Sequence, residues 1–218
     1  MPVFLDATAP DFETAFTTLL NAKREDSPDV DAVVADIIAE VRAQGDAAVI
    51  ELTEKFDRIT LTPDTLRITP EEVAKASEEV SPEDRAALEL AAARIRAYHQ
   101  RQLPEDAEWT DEAGATLGWR WTAVSAAGLY VPGGLASYPS SVLMNAIPAK
   151  VAGVQRLAMV VPTPDGILNP LVLLAAQIAG VDEIYRIGGA QAVAALAYGT
   201  DTIVPVDKIT GPGNAFVA

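Results

Sequence analysis

The sequence predicts an α/β fold in which a helical N-terminal region is followed by a Rossmann-like, mainly parallel, doubly wound sheet. Apolar residues recur at helical spacing up to about residue 102. From about residue 116, short apolar runs typical of strands alternate with Ala-rich stretches typical of helices. Glycine follows the same division, with 3 residues before position 121 and 11 after it. We therefore expect two domains, a mainly helical one over residues 1–110 and an α/β one over residues 111–218.

Five helices are predicted in the first domain. Three of them begin where Ser or Thr precedes Pro, at Ser27, Thr69 and Ser81, because Pro is favoured at the first helical position. Glu72 completes a capping box with Thr69. The predicted helices cover residues 11–23, 28–45 and 46–56, a segment from Thr69 onward, and residues 82–102. The single histidine, His99, lies near the end of the last helix, where we expect a surface or packing role rather than a catalytic one.

The second domain alternates strands and helices. The predicted strands cover residues 118–124, 128–132, 156–161, 183–187 and 202–206, and the predicted helices cover residues 140–153, 170–179 and 190–198. Asn169 is expected to cap the second of these helices and Gly180 to end it. Pro148 interrupts the first one, so we expect that helix to kink or restart there.

The charge distribution excludes some partners. Residues 1–120 carry 26 acidic and 12 basic side chains, against 5 and 4 in residues 121–218, and the net charge is −15. Solvated acidic helices account for this excess, and an acidic chain repels nucleic-acid phosphates. No apolar stretch reaches the roughly 18 residues of a membrane span, and cysteine is absent. We expect a cytoplasmic protein with no nucleic-acid or membrane partner.

Three Gly-rich turns follow predicted strands, at residues 128–134 (GLYVPGG), 188–191 (GGAQ) and 210–214 (TGPGN). Each brings a polar side chain to the carboxyl end of a strand, namely Tyr130, Gln191 and Asn214. Because these ends share one edge of a parallel sheet, we expect the three side chains to converge on a ligand-binding crevice. The dinucleotide fingerprint GxGxxG is absent, and glycine is also common in turns that have only a structural role.

Three segments closely resemble the histidinol dehydrogenase family. They are residues 128–153, which include GLYVPGG and YPSSVLMNAIPAKVAG, residues 188–200 (GGAQAVAALAYGT) and residues 208–214 (KITGPGN). The resemblance covers the whole chain but only about half of the family's usual length. It implies an NAD-dependent, zinc-containing enzyme of histidine biosynthesis that oxidises L-histidinol through histidinaldehyde to L-histidine. It also implies that NAD is contacted by Tyr130, Gln191 and Asn214.

The resemblance places the remaining chemistry beyond residue 218. The family's Glu-His acid/base pair and its Gln, His, Asp and His zinc ligands belong to the second half of the family sequence. We therefore expect the α/β domain to be incomplete, truncated at its C-terminal side, with no catalytic residue or metal ligand in this chain and no activity by itself. The full-length protein is expected to be a homodimer.

Two alternatives remain open from the sequence. One is a non-catalytic nucleotide-binding or interaction module that has kept the crevice without the chemistry. The other is a related dehydrogenase that acts on another small alcohol, although the YPSSVLMN segment at residues 138–145 resembles the histidinol-specific enzymes.

Overall fold

The computed structural model describes residues 4–22, 28–133, 138–214 and 216–217. Within these ranges the helices are α1 (Phe12–Ala22), α2 (Pro28–Gln44), α3 (Asp46–Asp57), α4 (Pro63–Leu66), α5 (Pro70–Glu78), α6 (Pro82–Gln100), α7 (Pro139–Ala152), α8 (Pro170–Ala179) and α9 (Gly189–Tyr198). The strands are β1 (Ala107–Thr110), β2 (Thr116–Trp119), β3 (Ala126–Tyr130), β4 (Arg156–Val160), β5 (Glu183–Tyr185) and β6 (Lys208–Thr210).

The predicted helix starts are confirmed where the structure describes them. The Thr69 hydroxyl accepts a hydrogen bond from the Glu72 N–H at 3.2 Å, and the Glu72 carboxylate accepts one from the Thr69 N–H at 2.9 Å. The Ser81 hydroxyl accepts from the Asp84 N–H and caps α6, and the Asn169 amide oxygen accepts from the Leu171 N–H and caps α8. Ser27 lies outside the described residues, and the short helix α4 is not predicted by the sequence. In the described parts of the chain no helix is both long and apolar enough to cross a membrane.

The main sheet is parallel, as predicted, and has the strand order β5-β4-β3-β6. Along the chain these are the third, second, first and fourth strands of that sheet. The order therefore reverses between β3 and β6, which creates a topological switch point. β1 and β2 form a separate antiparallel hairpin. The sequence predicted only a β segment at residues 118–124, and the described strand ends at Trp119.

Helices cover both faces of the main sheet. On one face, α5 to α8 pack over strand residues such as Leu129 and Met159. On the other face, α2, α3 and α9 pack over Tyr130 and Val160. Successive strand residues point to opposite faces, so one set of strands supplies both cores. The sheet is doubly wound, and helices from the first half of the chain complete each core. The division of the chain at residue 110 stays a prediction.

One local prediction is wrong, and another is narrowed. The last strand is β6 (Lys208–Thr210) rather than residues 202–206. Pro205 has no N–H to give to a sheet, and the N–H of Val206 donates to the Leu196 carbonyl of α9 instead. Helix α7 continues as one helix through Pro148 to Ala152, so of the two outcomes expected there, a kink or a restart, the restart does not occur. Its packing between α6 and α8 outweighs the local cost of the proline.

An ion pair ties α5 to the end of β5. Both Glu72 carboxylate oxygens accept from Nη2 of Arg186, at 2.8 and 2.7 Å. The Arg186 side chain is only 14% exposed, whereas that of Glu72 is 42% exposed. Burial alone raises the pKa of Glu72, but hydrogen bonds from Arg186 and from the Thr69 N–H outweigh it, so its pKa lies below the usual value.

We predict that Glu72→Gln lowers the free energy of unfolding by roughly 1 kcal/mol, a value that allows for the exposure of Glu72. Glutamine retains the capping box but leaves the buried Arg186 without an anion. Because the pKa of Glu72 is lowered in the folded protein, the difference in unfolding free energy between wild type and Glu72→Gln is full at neutral pH. It shrinks as the pH falls through that pKa. Urea unfolding at pH 7 and at pH 3.5 measures it. Glu71→Gln, at the exposed neighbouring position, is the control, and equal effects of the two variants would contradict the prediction.

Candidate functional site

A crevice lies at the carboxyl ends of β3 and β6, where the strand order reverses. Its larger cavity has a volume of about 530 Å³. A second cavity of about 380 Å³ adjoins it and shares Tyr130, Pro162 and Asn214. Open α/β sheets bind ligands at this position, and the larger volume is in the usual range for a small-molecule site. The residues lining the larger cavity are Val33, Ile37, Phe56, Asp57, Tyr130, Pro162, Gly188, Gly189, Ala190, Gln191, Asn214, Phe216 and Val217.

Tyr130 is the last residue of β3 and joins that strand to α9. Its hydroxyl oxygen accepts a hydrogen bond from the N–H of Gly189 at 3.1 Å. Burial raises the pKa of Tyr130, with a smaller contribution from the charge of Asp57, so the phenol is neutral at physiological pH. Since the oxygen accepts from Gly189, the O–H hydrogen can be donated to a ligand.

Gln191 lies in the first turn of α9 and is 2% exposed. Its Oε1 is buried and has no hydrogen-bond partner among the described residues. The first intrahelical bond of α9 runs from the Ala192 N–H to the Gly188 carbonyl. The N–H groups of Ala190 and Gln191 precede it and therefore have no partner within the helix. This helix end offers backbone donors to an anion in the crevice.

Asn214 follows β6 and lies exposed at the mouth of the crevice, where it lines both cavities. Its side-chain oxygen accepts from the Phe216 N–H at 3.1 Å. The turn that carries Asn214 passes so close to β3 that a Cβ on Gly211 would overlap the Tyr130 carbonyl oxygen, and Gly211 has φ +146°. The predicted convergence of Tyr130, Gln191 and Asn214 on one cavity is therefore present. Their role in binding NAD stays a prediction.

The other glycines of the crevice have a packing function. A Cβ on Gly133 would overlap the carbonyl oxygen of Pro162, and one on Gly188 would overlap the Pro162 ring. Their backbones lie against Pro162, two residues after β4, so they draw the ends of β3, β4 and β5 together. These glycines are explained by close packing and do not by themselves indicate a ligand.

Asp57 is a further candidate site residue, in addition to Tyr130, Gln191 and Asn214. It is the last residue of α3, it is 9% exposed and it lines the larger cavity. Burial raises its pKa against an opposing hydrogen bond from the Thr163 N–H, and its Oδ2 has no partner among the described residues. One signal in the sequence pointed to it, because a carboxylate is unfavourable at the negative C-terminal end of a helix.

Both cavities lack basic side chains in the described part of the chain. Neither Lys nor Arg contributes to their walls. Arg58 follows Asp57 in sequence but pairs with Asp165, from Nε at 2.8 Å and from Nη2 at 2.7 Å. The donors available to an anionic ligand are consequently backbone N–H groups and neutral side chains.

Comparison with known proteins identifies the family. The family described as histidinol dehydrogenase matches residues 20–218. The chain belongs to the histidinol dehydrogenase family. Histidinol dehydrogenases of Ruegeria pomeroyi and Cereibacter sphaeroides are 81% and 72% identical to it over all 218 residues, which are 50% of each relative. The crystal structure of histidinol dehydrogenase from Elizabethkingia anophelis superposes with a TM-score of 0.84 at 34% identity, over 88% of this chain and 44% of that one.

The chain thus spans about half the length of the curated histidinol dehydrogenases that it matches. Among the residues that the structure describes, no group of three or more His, Cys, Asp or Glu side chains is placed to hold a metal ion. The crevice lined by Tyr130, Gln191, Asn214 and Asp57 is the candidate site that the structure of this chain shows.

We predict that Asp57→Asn raises the free energy of unfolding at pH 7 by roughly 1 kcal/mol, since a neutral amide costs less to bury than an unpaired carboxylate. The folded pKa of Asp57 is raised, so the penalty from its charge is full above that pKa and disappears as the pH falls through it. Thermal unfolding at pH 7 and pH 4 should show the gain shrinking at the lower pH. Glu54→Gln, an exposed carboxylate on the same helix, is the control. A destabilised Asp57→Asn variant at pH 7 would contradict the prediction.

Proposed function

We propose that the protein carrying this chain is an NAD-dependent, zinc-requiring histidinol dehydrogenase of histidine biosynthesis. It oxidises L-histidinol through histidinaldehyde to L-histidine. The observation that carries the proposal is the 81% identity to a curated histidinol dehydrogenase over the full chain. The crevice at the switch point of the sheet supports the cofactor assignment, because a dinucleotide binds at this position in related α/β architectures.

The residues of the crevice are suited to NAD. Gln191 and Asp57 hold buried oxygen atoms with no partner among the described residues, and a ligand carrying hydroxyl groups would supply the missing donors. We assign NAD contacts to Tyr130, Gln191 and Asn214. The N–H groups at the start of α9 would face its diphosphate. When bound, NAD accepts a hydride in each of the two oxidation steps, so two NAD molecules are consumed per histidinol.

The zinc assignment rests on the family alone. The described residues do not form a zinc site, and the family resemblance places both the zinc ligands and the Glu-His acid/base pair beyond residue 218. We therefore assign no step to zinc in this chain and propose that residues 1–218 alone are inactive. The full-length protein is proposed to be a cytoplasmic homodimer that acts on a small molecule and binds neither nucleic acid nor membrane.

We predict that Gln191→Ala and Asn214→Ala in the full-length enzyme raise the KM for NAD at least tenfold more than the KM for histidinol. Both side chains are assigned to cofactor binding, so their loss removes binding energy mainly from NAD. Steady-state kinetics with each substrate varied in turn measures the two constants. Gln155→Ala, an exposed glutamine that does not line the crevice, serves as control. Equal increases in both constants would count against the assignment.

A separate prediction concerns residues 1–218 by themselves. Hydride transfer from an alcohol needs a base for the hydroxyl proton, and the family's acid/base pair is not within these residues. We expect no histidinol-dependent NADH absorbance at 340 nm from purified protein, prepared from a host that lacks its own enzyme. A turnover rate near that of the full-length protein would show that the chemistry lies within this chain.

A further inference from the structure

We propose that Asp57 selects NAD over NADP by accepting hydrogen bonds from the hydroxyl groups of the adenosine ribose. This inference rests on the proposed function, because it places NAD in the crevice of Tyr130, Gln191 and Asn214. It adds a specificity-determining residue from the helical N-terminal region and assigns the larger cavity to the adenosine half of the cofactor.

The walls of the larger cavity suit a purine base. Apart from Asp57, the side chains that α2 and α3 contribute are apolar, and Phe216 and Val217 close the cavity from the segment after Asn214. A purine has two flat apolar faces that pack against aliphatic and aromatic side chains. The Phe56 ring is 47% exposed in this structure, and it is available for such a contact. A base held here places its ribose near the carboxylate that follows Phe56 in the chain.

The acceptors of the cavity require a ligand that donates hydrogen bonds. Oδ2 of Asp57 and Oε1 of Gln191 are both buried, and neither has a partner among the described residues. An ionised carboxylate accepts but cannot donate, and a buried acceptor without a donor costs stability. The two adjacent hydroxyls of a ribose are donors that a carboxylate can bind together. If the ribose diol binds Asp57, it supplies the hydrogen-bond donor that Oδ2 of Asp57 lacks among the described residues.

The same arrangement rejects a 2′-phosphate. NADP carries a dianionic group in place of the 2′-hydroxyl, and sites that accept it place an Arg nearby. No Lys or Arg lines the described walls of the cavity. The nearest basic residue in sequence, Arg58, is engaged by Asp165 at 2.7 Å. A phosphate at this position would therefore meet the charge of Asp57, with no Lys or Arg in the described walls of the cavity to bind it.

The test is the binding of NAD and NADP to the full-length protein by isothermal titration calorimetry, for wild type, Asp57→Asn and Glu54→Gln. We expect wild type to bind NAD at least 100-fold more tightly than NADP. Asp57→Asn should weaken the binding of NAD about tenfold and leave the binding of NADP unchanged or tighter. The ratio of the Kd for NADP to the Kd for NAD therefore falls at least tenfold. Glu54→Gln removes the same charge from the exposed side of α3 and should keep both Kd values within twofold.

A second measurement needs no variant. The analogue of NAD with 2′-deoxyadenosine should bind wild type about tenfold more weakly than NAD, because it lacks a donor to Asp57. If that analogue binds as tightly as NAD, or if Asp57→Asn changes the Kd values for NAD and NADP by the same factor, the inference about Asp57 is wrong while the NAD site stands. If wild type binds no NAD, the proposed function fails and the inference fails with it.

Discussion

The crevice depends on how closely three strand ends approach one another. No side chain can be accommodated between residue 211 and the Tyr130 carbonyl, or between residues 133 and 188 and Pro162. Glycine at these positions lets the turns after β3 and β5 meet around Pro162 and lets the turn after β6 lie against Tyr130. A Cβ at any of them would force the strand ends apart and displace Tyr130 from its hydrogen bond with the Gly189 N–H. The positions of Gln191 and Asn214 follow from this contact.

The second constraint is that both faces of the sheet must be covered. The crossover helices α7 and α8 lie on one face, and α9 is the crossover helix on the other. Helices α2 and α3 complete that second core, and Val33 and Ile37 of α2 line the cavity together with Phe56 and Asp57 at the end of α3. The N-terminal region therefore has a role in the site that its acidic, solvated composition does not suggest. Asp57 occupies its position because α3 is needed for packing.

Local signals in the sequence were sufficient for most elements and for placing three residues in the crevice. Proline after a capping side chain marks the starts of α5, α6 and α8, and alternation of apolar runs with glycine marks β3 to β5. The failures have a common cause in contacts between distant segments. β6 pairs with β3 only over residues 208–210, and Val206 turns to α9 instead of the sheet. Asp57 was missed because its environment is made by α9 and by Phe216, which are more than 130 positions away in the chain.

The carboxylates at the amino and carboxyl edges of the sheet differ in their hydrogen-bond partners. This difference separates a role in folding from a role in ligand binding. At the amino edge, Asp207 accepts from the Ala126 N–H at 2.9 Å and Asp182 accepts from the Leu157 N–H at 2.7 Å. Each residue stands just before a strand, is exposed and joins that strand to the start of its neighbour, so these acceptors are satisfied by the fold itself. At the carboxyl edge, Asp57 has a buried oxygen that no described residue satisfies. A bound ligand that supplies the missing donor would offset the cost of this group, and departures from local consistency are expected where function requires them.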